Sequence, residues 1–316
     1  MVIAEHERAA LQHQMVSLLE KLAPEEGYTL SALPDVRFLR SNRPLKRTPV
    51  LYDPGIVIVC QGTKRGYFGD RVYVYDAQHY LAVSVPVPFT METQASAQQP
   101  LLAIYMHLDF AVAAELILKI DSAGAQKLAA PQSMVASVMD APLSQCVLRF
   151  LQIMADPQEA TILGPGLVRE IYYRVLTSEQ GDAIRNALLL QGQFGRIYSV
   201  IRHIHTAYNQ NLDVTQMAQR ANMSVATFHS HFKLITHTSP MQYLKSLRLH
   251  QARLLMVRKD ITAVTASLQV GYESASQFSR EFKRLFGSSP AAEVKRMKEH
   301  FAVPPEQQDT AFISSH

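Results

Sequence analysis

Gly271-Tyr272-Glu273-Ser274-Ala275-Ser276-Gln277-Phe278-Ser279-Arg280-Glu281-Phe282-Lys283 is the stretch on which the reading of this chain turns. Gly271 punctuates a turn, Ser274 is a helix-capping residue type, and Phe278 and Phe282 share one helix face at i, i+4. Fifty positions earlier the same grammar recurs: Ser224, Phe228, Phe232-Lys233 and Ser239-Pro240 match Ser274, Phe278, Phe282-Lys283 and Ser289-Pro290. The same offset pairs Val214 with Val264, Thr215 with Thr265 and Ala218 with Leu268. Each copy predicts a short helix, a tight turn and a second helix. Val214, Met217, Ala218 and Ala221 face inward in copy one, and Ile261, Val264, Leu268 and Val270 in copy two. Two helix-turn-helix units in register point to DNA, because the second helix of such a unit enters the major groove.

Charge agrees. Residues 195–300 carry fifteen Lys and Arg against six Asp and Glu, about +9, whereas the rest of the chain is about −5. A basic region is the electrostatic footprint of a polyanion, whose condensed counterions are released on binding. The 316 residues suggest two domains. No run of about 18 apolar residues is present, so no membrane partner is expected. Residues 1–20 lack the order of a signal peptide. The two cysteines, Cys60 and Cys146, have no metal-ligand spacing, which fits a reducing, cytoplasmic setting.

Upstream, residues 1–23 read as a helix. Gly55–Gln61, Val72–Tyr75, Tyr80–Val85 and Leu101–Leu108 read as strands of an antiparallel sandwich or barrel. Helices follow at Val112–Ile120 and Leu143–Ala155, the latter ended by Asp156-Pro157. Another is expected to start near Pro165. Composition and charge both change at residues 191–195. The expected division is 1–192, regulatory, effector-sensing and dimerising; 193–300, DNA-binding; and 301–316, a tail. The fold class is α+β, an antiparallel barrel with helices followed by an all-α domain.

The stretch from Ile197 to Met297 resembles the AraC/XylS family of bacterial transcription regulators. Val270 to Ser274, Phe278 to Lys283 and Gly287-Ser288-Ser289-Pro290 carry the resemblance, with Tyr243, Arg248, Ala252, Leu254 and Leu255 in the joining helix. Tyr52-Asp53-Pro54, Ile58 to Gly62, Gly69-Asp70, Tyr80-Leu81, Ser84-Val85 and Gly164 to Tyr172 resemble the regulatory domain of one AraC subgroup. The resemblance implies a cupin-like β-barrel, and recognition helices near Val225–Ile235 and Ala275–Phe286 that enter successive major-groove segments. It implies promoter DNA and a small-molecule effector as partners, with RNA polymerase as a further one. Copy one departs from the pattern: His231 stands where Arg is usual, and His237 where a helix-ending Gly is usual. Both changes put that unit's phosphate contacts in doubt.

By family position, Ala226, His229 and Ser230 would meet base edges from the first recognition helix. Ala275, Ser276, Gln277, Ser279 and Arg280 would do so from the second. Gln can pair adenine and Arg guanine. Lys233 and Lys283 are expected on phosphates, which position without specifying. Arg248 is expected to be structural. In the barrel, Tyr52, Cys60, Tyr67, Tyr75, His79 and His107 are candidate pocket residues. No His-x-His with a following Glu occurs, so neither metal nor other cofactor is expected. A homodimer is expected through the apolar faces near 143–155 and 165–178. The runner-up reading is a barrel enzyme, or a cysteine-dependent DNA alkyl-repair protein fused to a DNA-binding domain. Neither cysteine has the Pro-Cys-His-Arg setting of that chemistry, so no enzyme is expected.

Overall fold

The computed structural model describes residues 2–122, 129–189 and 192–300; the expected tail lies outside them. After helix α1 (Val2–Leu22), nine strands run almost without interruption. These are β1 (Gly27–Leu30), β2 (Val36–Ser41), β3 (Leu45–Tyr52), β4 (Gly55–Gln61), β5 (Thr63–Phe68), β6 (Arg71–Asp76), β7 (His79–Val83), β8 (Val87–Gln94) and β9 (Leu101–His107). Strand β10 (Met134–Val138) follows α2 (Phe110–Ser122) and pairs with β7. All pairings are antiparallel, in the order β1-β2-β9-β4-β7-β6-β5-β8-β3. Strands β6 and β7 share only the pair Asp76 and His79 beside their turn, so the sheet folds there into a half-barrel.

Alternation along β4 shows how both faces are used. Ile56, Ile58 and Cys60 join an outer cluster with α1, α2, α3 (Ala141–Ile153), α4 (Pro157–Leu176) and α5 (Gly181–Leu188). Val57 and Val59 join an inner cluster with Val50, Tyr52, Tyr75 and Phe89. That inner cluster continues without a break into the C-terminal helices through Phe194, Ile201, Phe228, Phe232 and Tyr243.

One expectation about the helices holds and one is corrected. Asp156-Pro157 does end α3, but Asp156 also caps α4, accepting from the N–H groups of Gln158 and Glu159 with Pro157 in the first turn. Pro165 therefore lies inside α4 rather than at its start.

Lys64 is buried on the inner face. Its ammonium donates to the Tyr105 hydroxyl at 2.5 Å and stands 5.9 Å from the centre of the Tyr52 ring. Burial pushes its pKa down to about 7 from an ordinary 10.5. Between those values the unfolded chain holds a proton that the folded chain has released, so stability rises with pH across that window and is flat below it. We predict that Lys64→Met removes this rise, about 1.4 kcal/mol per pH unit at most. Urea unfolding at about pH 8.5 and 10, above the Asp53 value of about 8, checks it.

Candidate nucleic-acid interface

Among the described residues, seven helices form the C-terminal region: α6 (Gly192–Ala207), α7 (Val214–Arg220), α8 (Val225–Thr236), α9 (Pro240–Lys259), α10 (Ala263–Gln269), α11 (Ala275–Phe286) and α12 (Pro290–His300). Helices α7 and α8 make one helix-turn-helix unit, and α10 and α11 the other. Helix α9, about 30 Å long at 1.5 Å per residue, joins them.

Each short helix and each recognition helix begins on a side-chain cap. Asp213 accepts from Gln216 N–H (2.9 Å), Ser224 from Thr227 (3.2 Å), Thr262 from Thr265 (3.1 Å) and Ser274 from Gln277 (3.3 Å). These caps revise the repeat. Ser224 and Ser274 keep the offset of fifty, but Asp213 and Thr262 stand one residue closer. Asn222 and Gly271 also correspond at the shorter offset, both with positive φ (51° and 85°). Copy two has one extra turn residue, so the pairings of Val214 with Val264 and Ala218 with Leu268 are wrong by one. Val264 and Leu268 are accordingly exposed, at 57% and 63%; Ala266 and Ser267 face the core instead, beside Val270, which is buried as expected.

The pivots hold. Phe228 and Phe232, and Phe278 and Phe282, are fully buried with ring centres 5.5 Å apart in each pair. The opposite faces are open: Ala226, His229, Ser230 and Lys233 on α8, and Ser276, Gln277, Ser279, Arg280 and Lys283 on α11, are exposed. Ala275 is half-buried. Ser230 donates its hydroxyl to Ala226 O, leaving lone pairs that accept. Gln277 donates to Glu281 (3.2 Å), which also receives Lys245 and Tyr272 at 2.8 Å each. Burial would raise the Glu281 carboxyl, but these three donors hold it below its ordinary range. Arg284 is a further exposed cation on α11; the Lys283-Arg284 pair was the signal that could have found it. Arg248 is structural, donating to the carbonyls of Tyr208 (2.7 Å) and Gln210 (2.8 Å).

His231 and His237 are not with the outward groups. His231 is half-buried and lines a cleft against the half-barrel. His237 takes φ +54° at the end of α8, with its ring edge-on to Phe68 at 4.5 Å.

The six barrel candidates do not line one pocket. Tyr52 and Tyr75 meet on the inner face, hydroxyls 3.3 Å apart, and fill it. Cys60 points to the outer face, where burial pushes its thiol up to about 12. Burial, first, and the neighbouring Glu170 push Cys146 up to about 11. Neither sulfur is a thiolate near neutral pH. Tyr67 donates to Glu92 (2.8 Å) beneath the Arg47 guanidinium, and His79 sits on Asp76 (3.0 Å) at the β6–β7 turn. Arg37 donates to His107 Nε2 (2.9 Å), placing the proton on Nδ1, 3.6 Å from Asp53. Burial and Arg37 push His107 down to about 3, and burial pushes Asp53 up to about 8. No three His, Cys, Asp or Glu groups cluster as metal ligands among the described residues.

Comparison with known proteins follows this division of the chain. Residues 32–183 match the family model for the AraC-type transcriptional regulator N-terminus, and residues 217–296 match a helix-turn-helix domain model. The chain belongs to the AraC family. It is 31% identical over 98 residues to the transcriptional activator RhaS of Yersinia pestis, covering 31% of this chain and 36% of RhaS. It is 27% identical over 122 residues to the regulator YobQ of Bacillus subtilis, covering 37% and 51%. The chain thus spans about a third to a half of the length of these curated relatives. An apo form of ToxT from Vibrio cholerae has the same fold, with a TM-score of 0.52, 10% identity, and coverage of 86% of this chain and 99% of ToxT. Two glycines flank the second recognition helix, Gly271 in the turn before α11 and Gly287 at its end, and the structure separates their roles.

Gly271 has φ +85°, and an added Cβ would stand 2.6 Å from Asn209 O. Gly287 has φ +78° with open space around it. Gly287→Ala should therefore cost only the left-handed strain, about 1–2 kcal/mol. Gly271→Ala should cost more, because the Asn209 backbone must also move. Chemical unfolding of the two variants side by side tests the order.

Proposed function

We propose that this AraC-family chain is a sequence-specific DNA-binding transcription regulator controlled by a small-molecule effector. The observation that carries the reading is the pair of capped recognition helices, each seated on two buried phenylalanines with a polar, partly cationic face exposed. Residues 193–300 bind promoter DNA in this reading, and 1–192 regulate. His229, Ser230, Gln277 and Arg280 contact base edges, with Ala226, Ala275, Ser276 and Ser279 alongside them. Lys233 and Lys283 contact phosphates, and Arg284 joins them. RNA polymerase is a further partner, and the cytoplasm is the site of action. The chain is not an enzyme: the two thiols are buried and protonated, which speaks against cysteine-dependent alkyl transfer.

A homodimer completes the proposal. The apolar faces expected to dimerise, near 143–155 and 165–178, are largely buried against the sheet of the same chain, and the apolar face left for a second copy is Ile162 (67%), Leu163 (50%) and Tyr173 (47%) of α4.

The test is selection of genomic fragments by the purified chain, followed by affinity measurement on the selected site. Arg280→Ala should lose about 1–3 kcal/mol on that site and relax its sequence preference. Lys283→Ala should weaken all sequences alike and lower the salt slope by about one. Equal loss on all sequences for Arg280→Ala would move that residue to the phosphate class. No enrichment of any fragment would sink the whole reading.

A further inference from the structure

Between the half-barrel and the first helix-turn-helix unit lies a cleft of about 430 Å³. That size falls within the roughly 300–1,000 Å³ of small-molecule sites. Phe68 and Tyr73 form its barrel wall, Phe194 lies at the start of α6, and Ile235 with the two departing histidines, His231 and His237, forms the α8 wall. Phe68, Phe194 and Ile235 are nearly or fully buried.

The lining has a definite charge character. Arg71 is exposed and holds Gln132 at 3.2 Å, leaving other guanidinium donors over the cleft. His231 and His237 add two imidazoles, and no Asp or Glu lines the cleft among the described residues. An aromatic and aliphatic floor beneath cationic and imidazole donors suits an anion with an apolar body. A carboxylate pairs with guanidinium, and its body covers the rings.

The same walls hold the two domains together. The His237 ring sits edge-on to Phe68, and an added Cβ on Gly69 would come within 2.8 Å of that ring. Ser133 donates to Ile235 O at 2.7 Å across the junction. His237 takes a left-handed backbone conformation, φ +54°, which strains a residue with a Cβ and would not strain a glycine. Its contact with Phe68 and Gly69 accounts for the residue being there.

We propose that this cleft binds a small organic acid, one carboxylate on an aromatic or branched apolar body, and that the acid acts on DNA binding through the α8 wall. The inference rests on the regulator reading and locates its effector. A ligand touching both walls stabilises the docked arrangement of α8 over any other, which is the differential affinity that coupling requires. The position of the departing histidines on this wall, away from the outward face of α8, makes them effector and docking residues rather than weakened phosphate contacts.

The experiment uses the full chain, and the probes are benzoate, phenylacetate, 4-methylpentanoate and the corresponding amides. Ligand-observed NMR measures binding, and fluorescence anisotropy measures affinity for a selected promoter fragment with and without each probe. At least one acid is expected to bind at least about tenfold more tightly than its amide and to change DNA affinity. Arg71→Gln should weaken that acid by a similar factor. Leu234→Trp, at a position 73% exposed on the cleft rim, should block it while the unfolding midpoint stays near wild type. Binding of no acid at millimolar concentration, equal binding of acid and amide, or binding that survives both variants would overturn the proposal. Acid binding that leaves DNA affinity unchanged would overturn the coupling. Fragment selection without any probe is read separately, so a failed effector site and a failed regulator reading give different results.

Discussion

Burial of the inner face of the half-barrel is the constraint on which the rest depends. The five helices α1 to α5 cover the outer face, and they contribute only Ala187 of α5 and the flanking Phe110 of α2 to the inner cluster among the described residues. Val50, Tyr52, Val57, Phe68 and Tyr75 would be left at an open mouth. The first helix-turn-helix unit and the linking helix complete that core. Deep burial of this much aromatic surface is a larger driving force than any single polar contact in the junction.

Polar contacts then set the registry. Tyr243 on α9 donates to Pro86 O at 2.8 Å and accepts from His205 Nε2 at 2.8 Å, so His205 carries a proton on Nε2. Burial pushes His205 down to about 3, so the ring is neutral near neutral pH. Ten residues on, the fully buried Arg253 reaches Pro49 O and pairs with Glu293 of α12, its guanidinium 4.3 Å from the Phe286 ring centre. Breaking such a buried pair costs far more than its net worth, because one charge is left without its partner. One helix therefore carries contacts from the sheet to both recognition units. The units differ in what they lean on: the first shares the inner core, and the second has a core of its own around Phe278, Phe282 and Phe286.

That asymmetry explains where reading from residues worked and where it stopped. The phenylalanine pivots, the serine caps and the second recognition helix were legible because each depends on neighbours within four residues. Gly55–Gln61 was legible as a strand for a similar reason, a short run rich in Val and Ile. The first helix of copy two was misread because a constant offset cannot reveal one extra residue in a turn. The cap at Thr262 and the positive φ at Gly271 reveal it. The barrel candidates failed as a group because alternation assigns faces only after the strand register is known. Tyr52 and Tyr75 share the inner face, while Cys60 has the outer.

The sequence by itself determined the two helix-turn-helix units, their exposed faces, the basic character of residues 195–300 and the strand-rich region before them. Local capping, helical period and charge suffice for these. Tertiary structure alone decided that α8 closes the half-barrel and that a cleft opens between them. It also decided that His231 and His237 belong to that junction. Those facts depend on pairs such as Ser133 with Ile235 and Arg253 with Pro49, which lie about a hundred and two hundred residues apart. No local pattern carries such pairs, because only burial of a shared apolar surface brings them together.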